Sequence, residues 1–478
     1  MLTNFRYLFK NTMTISELVF IPFPLAGHLP SMVELAKLLL DREPRLSVSI
    51  ILMNPSSQSY YDQVTQDSTP RLRFIDIPCD ETAKSHVIPN TFLNAFIEYH
   101  KTHVKKIVQD IVSSSSARLV GFVVDMFCVP MTDVANELGV PTFTYFASGA
   151  ATLGTMFYLQ DKRDYEGYDA TEFADPGLKL SIPSFYYPVP SELLPSPVHM
   201  KGDTLKIYLD LAKRFRKSKG IIVNTFLDLE RRGMRAIYGS YRCRPQVLPV
   251  GPILNLKNPK NNDKSDEIMT WLDDQPENSV VFLCFGSMGT FNEEQVKEIA
   301  IALEKSGQRF LWSLRRPPQS NILMDGPEDY ESLEKILDEG FLERTSSIGK
   351  IIGWAPQMAV LSHPSTGGFV SHCGWNSILE SIWCGVPIAA WPIYAEQHLN
   401  AFQFVGELGL AAEIKVDYRN GMLVKAEEIV SGINKLMNDG EIRKNVKEMK
   451  QKSRSTIVEG GQSYYNVKRL IDLIMIKE

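Results

Sequence analysis

The residues best suited to chemistry lie in one short run, Phe369 to Glu380, with the sequence Phe-Val-Ser-His-Cys-Gly-Trp-Asn-Ser-Ile-Leu-Glu. An apolar, strand-like stretch leads through a glycine into a helical pattern, so we expect the free N–H groups of a helix N-terminus to form an anion site. His372, Asn376 and Ser377 would add side-chain donors beside it. Glu380 follows one helical turn later, where its carboxylate could accept hydrogen bonds from the vicinal hydroxyls of a ribose. Phosphate donors followed by a ribose acceptor predict a nucleotide site.

Each of these residues also has a purely structural interpretation. Asn376 could cap the helix, and Glu380 could be a solvated surface carboxylate. Capping alone does not require His, Gly, Trp, Asn, Ser and Glu together, so the run as a whole favours the nucleotide.

A second chemical pair is His28, in Pro24-Leu25-Ala26-Gly27-His28, and Asp125, in Val123-Val124-Asp125. Each follows a predicted strand, and ligands bind at the carboxyl ends of strands in open α/β sheets. In the usual order 3-2-1-4-5 the first and fourth strands are neighbours, so the two side chains can meet. A histidine oriented by a carboxylate is a suitable general base near neutral pH. The structural alternative is a satisfied hydrogen bond in the core.

The elements that must position these residues alternate between apolar runs of strand length and helix-period segments, which is typical of parallel βαβ units. A polar segment, 255–266, separates two such series and indicates an interdomain linker. We therefore predict an α/β protein with two doubly wound domains facing each other across a cleft. Strands are predicted at 17–22, 46–53, 72–77, 119–125, 142–146, 280–285, 310–314, 350–353, 368–371 and 387–391. Helices are predicted at 31–40, 131–138, 293–305, 376–383, 426–437, 441–456 and 464–476.

The composition excludes several other classes of protein. A chain of 478 residues is long enough for two domains, and its net charge of −5 argues against nucleic-acid binding. The six cysteines form no CxxC pair and no zinc-like spacing, which favours a reducing compartment. No apolar stretch is long enough to span a bilayer, and the first apolar run lacks a signal-peptide pattern. We expect a cytoplasmic protein without a membrane span.

The stretch from Trp354 to Gln397 resembles the sequence of a known family. Trp354-Ala355-Pro356-Gln357, His372-Cys373-Gly374-Trp375-Asn376-Ser377 and Glu396-Gln397 are similar to the signature box of plant family 1 UDP-glycosyltransferases. The resemblance extends from the Gly27-His28 turn to the C-terminal helix and is greatest to the branch acting on flavonoids, other phenolics and triterpenoids. It implies a GT-B fold, with two Rossmann-like domains facing across a cleft.

The resemblance also implies roles for individual residues. His28 is the catalytic base and Asp125 its partner. The UDP-sugar would be held by Trp354 and Ala355 at the uracil, by Gln357 and Glu380 at the ribose, by Ser287, His372, Asn376 and Ser377 at the diphosphate, and by Trp375, Glu396 and Gln397 at the sugar. Gln397 at the last position of the box resembles glucose-using members. In many relatives a threonine contacts the 6-hydroxyl of the sugar, whereas this chain has Phe146-Ala147-Ser148 there, so that contact would pass to Ser148.

The expected reaction is a direct displacement by the acceptor hydroxyl at C1 of an α-linked UDP-sugar, which gives a β-glycoside. No cofactor and no metal are expected, with UDP-glucose as co-substrate, because no Asp-x-Asp cluster is available for manganese. The predicted acceptor is a small apolar plant metabolite, first a flavonoid or other phenolic and second a triterpenoid alcohol. Another UDP-sugar also stays open as the donor. Candidate walls of the acceptor pocket are Phe92, Phe127, Phe146 and Leu194, chosen by analogy and apolarity.

Two rival functions use the same type of fold. A nicotinamide dehydrogenase would need GxGxxG after its first strand, which neither Leu25-Ala26-Gly27-His28 nor Gly286-Ser287-Met288-Gly289 provides. A non-catalytic small-molecule binder would not need His28 and Asp125. The expected domains are an acceptor-binding domain at 1–254, a linker at 255–268, a UDP-sugar-binding domain at 269–458 and a C-terminal helix at 459–478 packing back on the first domain. We expect a monomer.

Overall fold

Two parallel sheets with helices packed against them form the framework of the computed structural model. The structure describes residues 15–25, 27–53, 67–77, 92–114, 117–200, 202–240, 245–256, 263–318, 326–416 and 423–476. None of the helices within these ranges is long and apolar enough to cross a membrane.

The strands of the first sheet are mostly buried, in keeping with their apolar sequence, apart from the edge strand at 72–77. Its strands are β1 Ser16–Ile21, β2 Leu46–Met53, β3 Leu72–Ile77, β4 Arg118–Asp125, β5 Thr142–Phe146, β6 Gly220–Val223 and β7 Gln246–Pro249. Their order is β3-β2-β1-β4-β5-β6-β7, and every neighbouring pair is parallel. The carboxyl ends of β1 and β4 are therefore adjacent, as the sequence predicted.

Helices pack on both faces of this sheet, with a separate apolar core on each face. They are α1 Leu29–Arg42, α2 Phe92–Ser114, α3 Thr132–Glu137, α4 Ala150–Glu166, α5 Thr204–Phe215 and α6 Arg231–Ser240. Short 3-10 turns lie at Met126–Met131, Ala170–Ala174, Ser191–Leu193 and Ser196–Val198. A small antiparallel pair, Lys179–Leu180 with Val189–Pro190, lies between α4 and α5.

The second sheet repeats the same winding. Its strands are β8 Val280–Cys284, β9 Arg309–Ser313, β10 Gly349–Ile352, β11 Thr366–Ser371, β12 Ile388–Ala390 and β13 Ala411–Glu413. They are parallel in the order β10-β9-β8-β11-β12-β13, so the strand order reverses beside the first strand, as in the first sheet. A crevice for a ligand is expected at the carboxyl ends of the strands at such a reversal.

The helices of the second half surround one large core, except the last of them, which contributes no residue to it. They are α7 Asp263–Asp273, α8 Glu293–Ser306, α9 Phe341–Thr345, α10 Gln357–Ser362, α11 Trp375–Cys384, α12 Gln397–Phe402, α13 Ala426–Asn438, α14 Gly440–Ser455 and α15 Gln462–Met475. A π-helical turn, Gln403–Glu407, continues α12, and a second antiparallel pair joins Arg315–Arg316 to Glu328–Asp329.

The last helix, α15, lies on the first sheet and not on the second. Its apolar residues Val467, Leu470, Ile471 and Ile474 belong to the core that α1 forms with that sheet. The Asn466 side chain donates a hydrogen bond of 2.7 Å to the carbonyl of Pro249 at the end of β7. The domain boundaries inferred from the sequence stay a prediction, and α7 begins at Asp263, inside the polar segment assigned to the linker.

Candidate active site

His28 and Asp125 meet at the carboxyl ends of β1 and β4. Nδ1 of His28 lies 2.7 Å from Oδ2 of Asp125, although 97 positions separate the two residues. The other carboxylate oxygen of Asp125 accepts a hydrogen bond of 2.9 Å from the backbone N–H of Phe127, which holds the carboxylate in place. Because Asp125 occupies Nδ1, the other ring nitrogen of His28 is the one available as a base.

The environment of His28 changes its basicity in two opposing ways. Burial alone would lower the pKa of His28, but the charge and hydrogen bond of Asp125, with a smaller contribution from Glu396, raise it above the ordinary value. The His28 side chain keeps 17% of its surface exposed, whereas that of Asp125 keeps 0%. The imidazole can therefore reach a substrate, while its partner is shielded.

An aromatic cluster lies beside His28. The ring of Phe127 lies 5.2 Å from the imidazole, and Phe23 lies 5.4 Å from Phe127 and 5.9 Å from Phe96, all measured between ring centroids. Phe127 was among the predicted acceptor residues, whereas Phe23 and Phe96 were not. Their sequence neighbourhood has no signal for a pocket, since the cluster forms only when β1, β4 and α2 come together.

The other predicted acceptor residues do not join this cluster. Phe146 and Leu194 have only 0% and 1% of their surface exposed, and Phe146 packs on Phe215 at 5.9 Å. A side chain with almost no accessible surface borders no open space, so the structure puts both in the core of the first half and not on a pocket wall. Phe92 begins α2, but its side chain lies outside the described residues.

The predicted anion site lies at the turn from β11 into α11. Gly374 precedes the helix and provides no side-chain cap, so the first N–H groups of α11 are not covered by a capping side chain. Cys373 adopts a left-handed φ of 61°, which is unfavourable for a residue with a Cβ. The amide of Asn400 donates a hydrogen bond of 3.0 Å to the carbonyl of Cys373 and so helps to fix this turn.

His372 is packed against two glycine backbones at this turn. A Cβ on Gly286 would lie 2.6 Å from Nε2 of His372, and a Cβ on Gly374 would also clash with that atom. Burial lowers the pKa of His372 to about 4, so the ring is neutral near neutral pH. Its Nδ1 is buried and has no hydrogen-bond partner within the described ranges. A neutral imidazole at the anion site can act as a hydrogen-bond donor to a phosphate without carrying charge.

The two side chains predicted at the ribose, Gln357 and Glu380, are in contact with each other. The Gln357 amide donates to Oε2 of Glu380 at 2.7 Å and to the Ser377 hydroxyl at 2.9 Å. Burial raises the pKa of Glu380 to about 7, against a smaller opposite effect of the Gln357 hydrogen bond. Gln357 at the start of α10 is therefore in contact with Ser377 and Glu380 on the first two turns of α11.

The remaining residues predicted on the donor side differ in their exposure. Trp354 exposes 53% of its surface, which leaves an indole face open for stacking, while the adjacent Ala355 is buried. Ser287 is exposed at the loop after β8, and its carbonyl accepts a hydrogen bond of 3.2 Å from Arg315.

The residues expected at the sugar differ in how their side chains are placed. Oε1 of Glu396 accepts a hydrogen bond of 3.1 Å from the Ser148 hydroxyl, so Ser148 does reach this group from the first half. Oε1 of Gln397 accepts the N–H groups of Ile393 and Tyr394 at 3.0 Å each. Trp375 was also predicted at the sugar, and its side chain points away from the open part of the site. It is buried, and its indole N–H donates to the carbonyl of Asn224 at 2.7 Å, which leaves only its backbone for that contact.

One further hydrogen bond joins the two sites. The Asn376 amide donates to the carbonyl of Gly27 at 2.6 Å, one residue before His28. The turn carrying the base and the N-terminus of α11 are therefore in direct contact. Among the residues that the structure describes, no three His, Cys, Asp or Glu side chains are grouped so as to hold a metal ion.

Known proteins share both this sequence and this fold. Residues 232–455 match the family model described as UDP-glucoronosyl and UDP-glucosyl transferase. The chain is 61% identical to UDP-glycosyltransferase 71E1 of Stevia rebaudiana over 96% of its own length and 98% of that protein. The chain belongs to this family. This UDP-glycosyltransferase is also 49% identical to the UDP-glucose flavonoid 3-O-glucosyltransferase 6 of Fragaria ananassa, over 96% of its own length and 98% of the Fragaria protein.

The solved structures give the same result for the fold of this UDP-glycosyltransferase. Medicago truncatula UGT71G1, complexed with UDP-glucose, superposes with a TM-score of 0.84 at 41% identity, over 96% of this chain and 98% of that chain. The predicted GT-B arrangement, with two Rossmann-like halves, is confirmed.

Proposed function

We propose that this UDP-glycosyltransferase transfers glucose from UDP-glucose to a hydroxyl of a small apolar phenolic, most directly a flavonoid, with inversion at C1. The observation that carries the proposal is the His28–Asp125 pair at 2.7 Å, in a turn that the Asn376 amide joins to the N-terminus of α11. A base and a site suited to a diphosphate thus face each other across the two halves.

The donor half supplies groups that match each part of a UDP-sugar. Trp354 offers an exposed ring for the uracil, and Glu380, held by Gln357, is the ribose acceptor. The N–H groups at the start of α11, with Ser287, His372, Asn376 and Ser377, would receive the diphosphate. Glu396 and Gln397, with the backbone of Trp375, would contact the hydroxyls of the sugar.

The mechanism follows from the tautomer of His28. With Nδ1–H donated to Asp125, the lone pair on Nε2 takes the proton of the acceptor hydroxyl as its oxygen attacks C1. The bond between C1 and the β-phosphate oxygen breaks, and its electron pair leaves with UDP. Attack opposite the leaving group converts an α-linked donor into a β-glycoside. Asp125 stabilises the imidazolium until the proton is lost to solvent.

The charge that develops on UDP would be offset by the dipole of α11 and by the hydrogen-bond donors around it, without a metal. Each is held in place before substrate binds, as the Gln357–Ser377–Glu380 contacts and the packing of His372 on Gly286 illustrate. Turnover should therefore persist in EDTA, measured as UDP release from metal-free enzyme.

The acceptor class is supported by the surroundings of the base and by the relatives. Phe23, Phe96 and Phe127 form an apolar, aromatic surface beside His28, which suits a planar phenolic ring. Among the related proteins are a flavonoid 3-O-glucosyltransferase and an anthocyanidin 3-O-glucosyltransferase. A structure of Phytolacca americana UGT2 contains pterostilbene, a phenolic, with a fluorinated UDP-glucose.

We also propose that the enzyme works as a monomer in the cytosol. Cys128, Cys284, Cys373 and Cys384 are free, and three of them are buried, which suits a reducing compartment. Size-exclusion chromatography with light scattering would test the monomer, and a fluorescent fusion in plant cells would test the compartment.

The decisive experiment combines UDP release with mass spectrometry of the product. Wild-type enzyme with UDP-glucose should add one hexose to phenolic acceptors, and UDP-galactose should be a poor donor. His28→Ala should reduce turnover by about 10²- to 10⁴-fold, the usual contribution of general base catalysis, while binding UDP normally. Near wild-type turnover of His28→Ala would remove the base assignment. Exclusive activity on triterpenoid alcohols would remove the acceptor assignment.

A further inference from the structure

The Trp375 side chain occupies an unusual place for a residue of a donor-binding motif. It is the first residue of α11, and its ring packs between the two halves, at the side of the second-half core where Phe226 and Leu229 of the first half join it. Its indole N–H donates to the carbonyl of Asn224 at 2.7 Å, across 151 positions of sequence. Only 3% of its surface is exposed, and on the other side its ring meets Phe404 edge to face at 6.2 Å.

The first half forms a notch that receives this ring at the carboxyl ends of β5 and β6. Gly149 lies at the bottom of the notch, and a Cβ there would be 2.8 Å from two atoms of the indole. The same Cβ would lie 2.7 Å from Oε1 of Glu230, whose carboxylate accepts the N–H groups of Ala150 and Ala151 at 2.7 and 2.8 Å. Glu230 thus binds the first N–H groups of α4, so Gly149, the residue at the N-cap of that helix, needs no side chain.

Asn224 links the notch to the segment that leaves the first half. Its side chain makes paired hydrogen bonds with the backbone of Ile253, accepting from N–H at 2.7 Å and donating to the carbonyl at 3.3 Å. The side-chain oxygen of Asn224 also lies so close to Gly251 that a Cβ there would be 2.6 Å away. The acceptor of the indole bond is therefore held rigidly by the end of the first sheet.

From this arrangement we propose that Trp375 is a positioning residue: its indole, seated in the notch of Gly149, Asn224 and Glu230, sets the placement of the donor-binding helix relative to His28. The proposal rests on the proposed function, in which α11 binds the diphosphate and His28 is the base. The next residue, Asn376, contacts the Gly27 carbonyl, so two consecutive residues of α11 tie its N-terminus to the first half at two points. Displacement of reacting groups by about 1 Å can reduce a rate by about 10²-fold.

The position of Trp375 predicts which kinetic constant it controls. The groups proposed to bind UDP belong to the second half, so they stay intact when the indole loses its contact with the first. Loss of the contact should change the approach of C1 to His28 and not the affinity for UDP. If Trp375 merely stabilised the core, replacing it would lower the melting temperature without affecting kcat separately from the Kd of UDP.

Two variants test the contact between Trp375 and the notch, one from each side of that contact. Trp375→Phe keeps an aromatic ring but removes the indole donor, and Gly149→Ala narrows the notch and leaves α11 unchanged. The control is Trp312→Phe, which removes the same atoms from a residue with 1% exposure on β9, two strands away from the strand β11 that leads into α11.

We expect Trp375→Phe to lower kcat by roughly 3- to 12-fold, the equivalent of one net hydrogen bond, and Gly149→Ala to lower it by up to about 10²-fold. The Kd of UDP, measured by calorimetry, should stay within about twofold in both variants, on the general expectation for a contact that the ligand does not touch. The acid limb of the pH profile should not move, since His28 and Asp125 are intact. Trp312→Phe should lower the melting temperature but keep kcat.

The outcomes separate this proposal from the proposed function. An unchanged kcat in Trp375→Phe and Gly149→Ala would overturn the positioning role. A loss of UDP affinity that accounts for the whole loss of activity would overturn it as well, because the side chain would then act in the donor site. Wild-type enzyme that releases no UDP with any phenolic acceptor would reject the proposed function instead, which the UDP-release assay measures without any variant.

Discussion

At the scale of single residues, the site depends on ionisable groups whose environments change their pKa in opposite directions. Asp125 raises the pKa of His28 against the effect of burial, whereas burial without a charged partner lowers the pKa of His372 to about 4. One histidine is thereby a stronger base, and the other is a neutral donor. The sequence contains both residues but does not distinguish their environments.

The pH profile should report the influence of Asp125 on His28. Neutral His28 is the active form, so kcat/KM should fall as the pH drops below its raised pKa. Asp125→Asn removes the charge that raises this pKa and leaves the burial that lowers it. The acid limb should therefore move to lower pH, and the plateau should fall by about 10²- to 10⁴-fold because the ring loses its orienting partner. An acid limb that stays in place would show that another group titrates there.

Glu380 should make donor affinity depend on pH. Its pKa of about 7 means that a proton must leave before the carboxylate can accept both ribose hydroxyls. The Kd of UDP-glucose, whose diphosphate does not titrate in this range, should therefore decrease as the pH rises from 6 to about 8. Calorimetry at several pH values measures this trend. Glu380→Gln should weaken binding and make it less dependent on pH, and an unchanged slope in that variant would assign the effect to another group.

At the scale of elements, the chemistry is concentrated where a strand ends and a helix begins. The β1–α1 turn carries His28, the β11–α11 turn carries the anion site, and the loop after β8 brings Gly286 against His372. These junctions place backbone N–H groups and short side chains at one edge of each sheet. The absence of a Cβ at Gly286 lets the His372 ring approach that loop closely.

Gly286→Ala tests this close approach. Gly286 has a φ of 75°, which costs about 1–2 kcal/mol for a residue with a Cβ, and its new Cβ would lie 2.6 Å from Nε2 of His372. We expect a lower melting temperature and a clearly weaker affinity for UDP. Gly307→Ala is the matched control, because Gly307 has a φ of 63° but no atom within 4 Å of the added Cβ. It should lose stability and keep its UDP affinity, and equal losses of affinity would contradict the interpretation.

Much of the arrangement of strands and helices could be predicted from the sequence. Long apolar strands such as β2 and β11, and the neighbouring positions of β1 and β4, follow from the hydrophobic pattern and the usual winding of such sheets. Strands of three or four residues carry too little periodicity to be recognised consistently: β6 and β7 were not predicted, whereas the equally short β10 was. Phe146 and Leu194 were assigned to a pocket because apolarity alone does not tell a core side chain from a wall. The notch that receives Trp375 is formed by residues far apart in the chain, so no local sequence pattern predicts it.

At the scale of the whole molecule, the two halves make contact through more than the catalytic cleft. The segment from Ala395 to Glu407 begins with the sugar-side residues and then packs on the first half. Leu399 belongs to a core of the first half, and the ring centroid of Phe402 lies 6.0 Å from that of Phe185. The backbone N–H of Ser196 donates to the carbonyl of Ala395 at 2.9 Å. The loop 183–200 and the sugar-side residues are therefore parts of one contact region.

Glu407 should control how firmly this loop is held. Its Oε1 accepts the N–H groups of Tyr186, at 2.5 Å, and Tyr187, at 3.1 Å. The resemblance to the family assigns the loop 183–200 to the acceptor pocket. Removing these bonds in Glu407→Ala should therefore raise the KM for the acceptor several-fold and leave the KM for UDP-glucose unchanged, which two-substrate kinetics would measure. Glu427→Ala, which removes an exposed partner of Lys305 in the second half, should change neither constant. An equal increase in both KM values would contradict a loop-specific effect.

The return of α15 to the first sheet has a consequence for connectivity. A cut between the halves at the polar segment alone would leave the first sheet without the apolar side chains of Val467, Leu470 and Ile474, which complete one of its cores. Grafting the donor half of another family member onto this chain therefore requires two junctions, one on each side of the transplanted piece. In covalent terms the donor half is an insertion inside the acceptor half and not an appendage at its end.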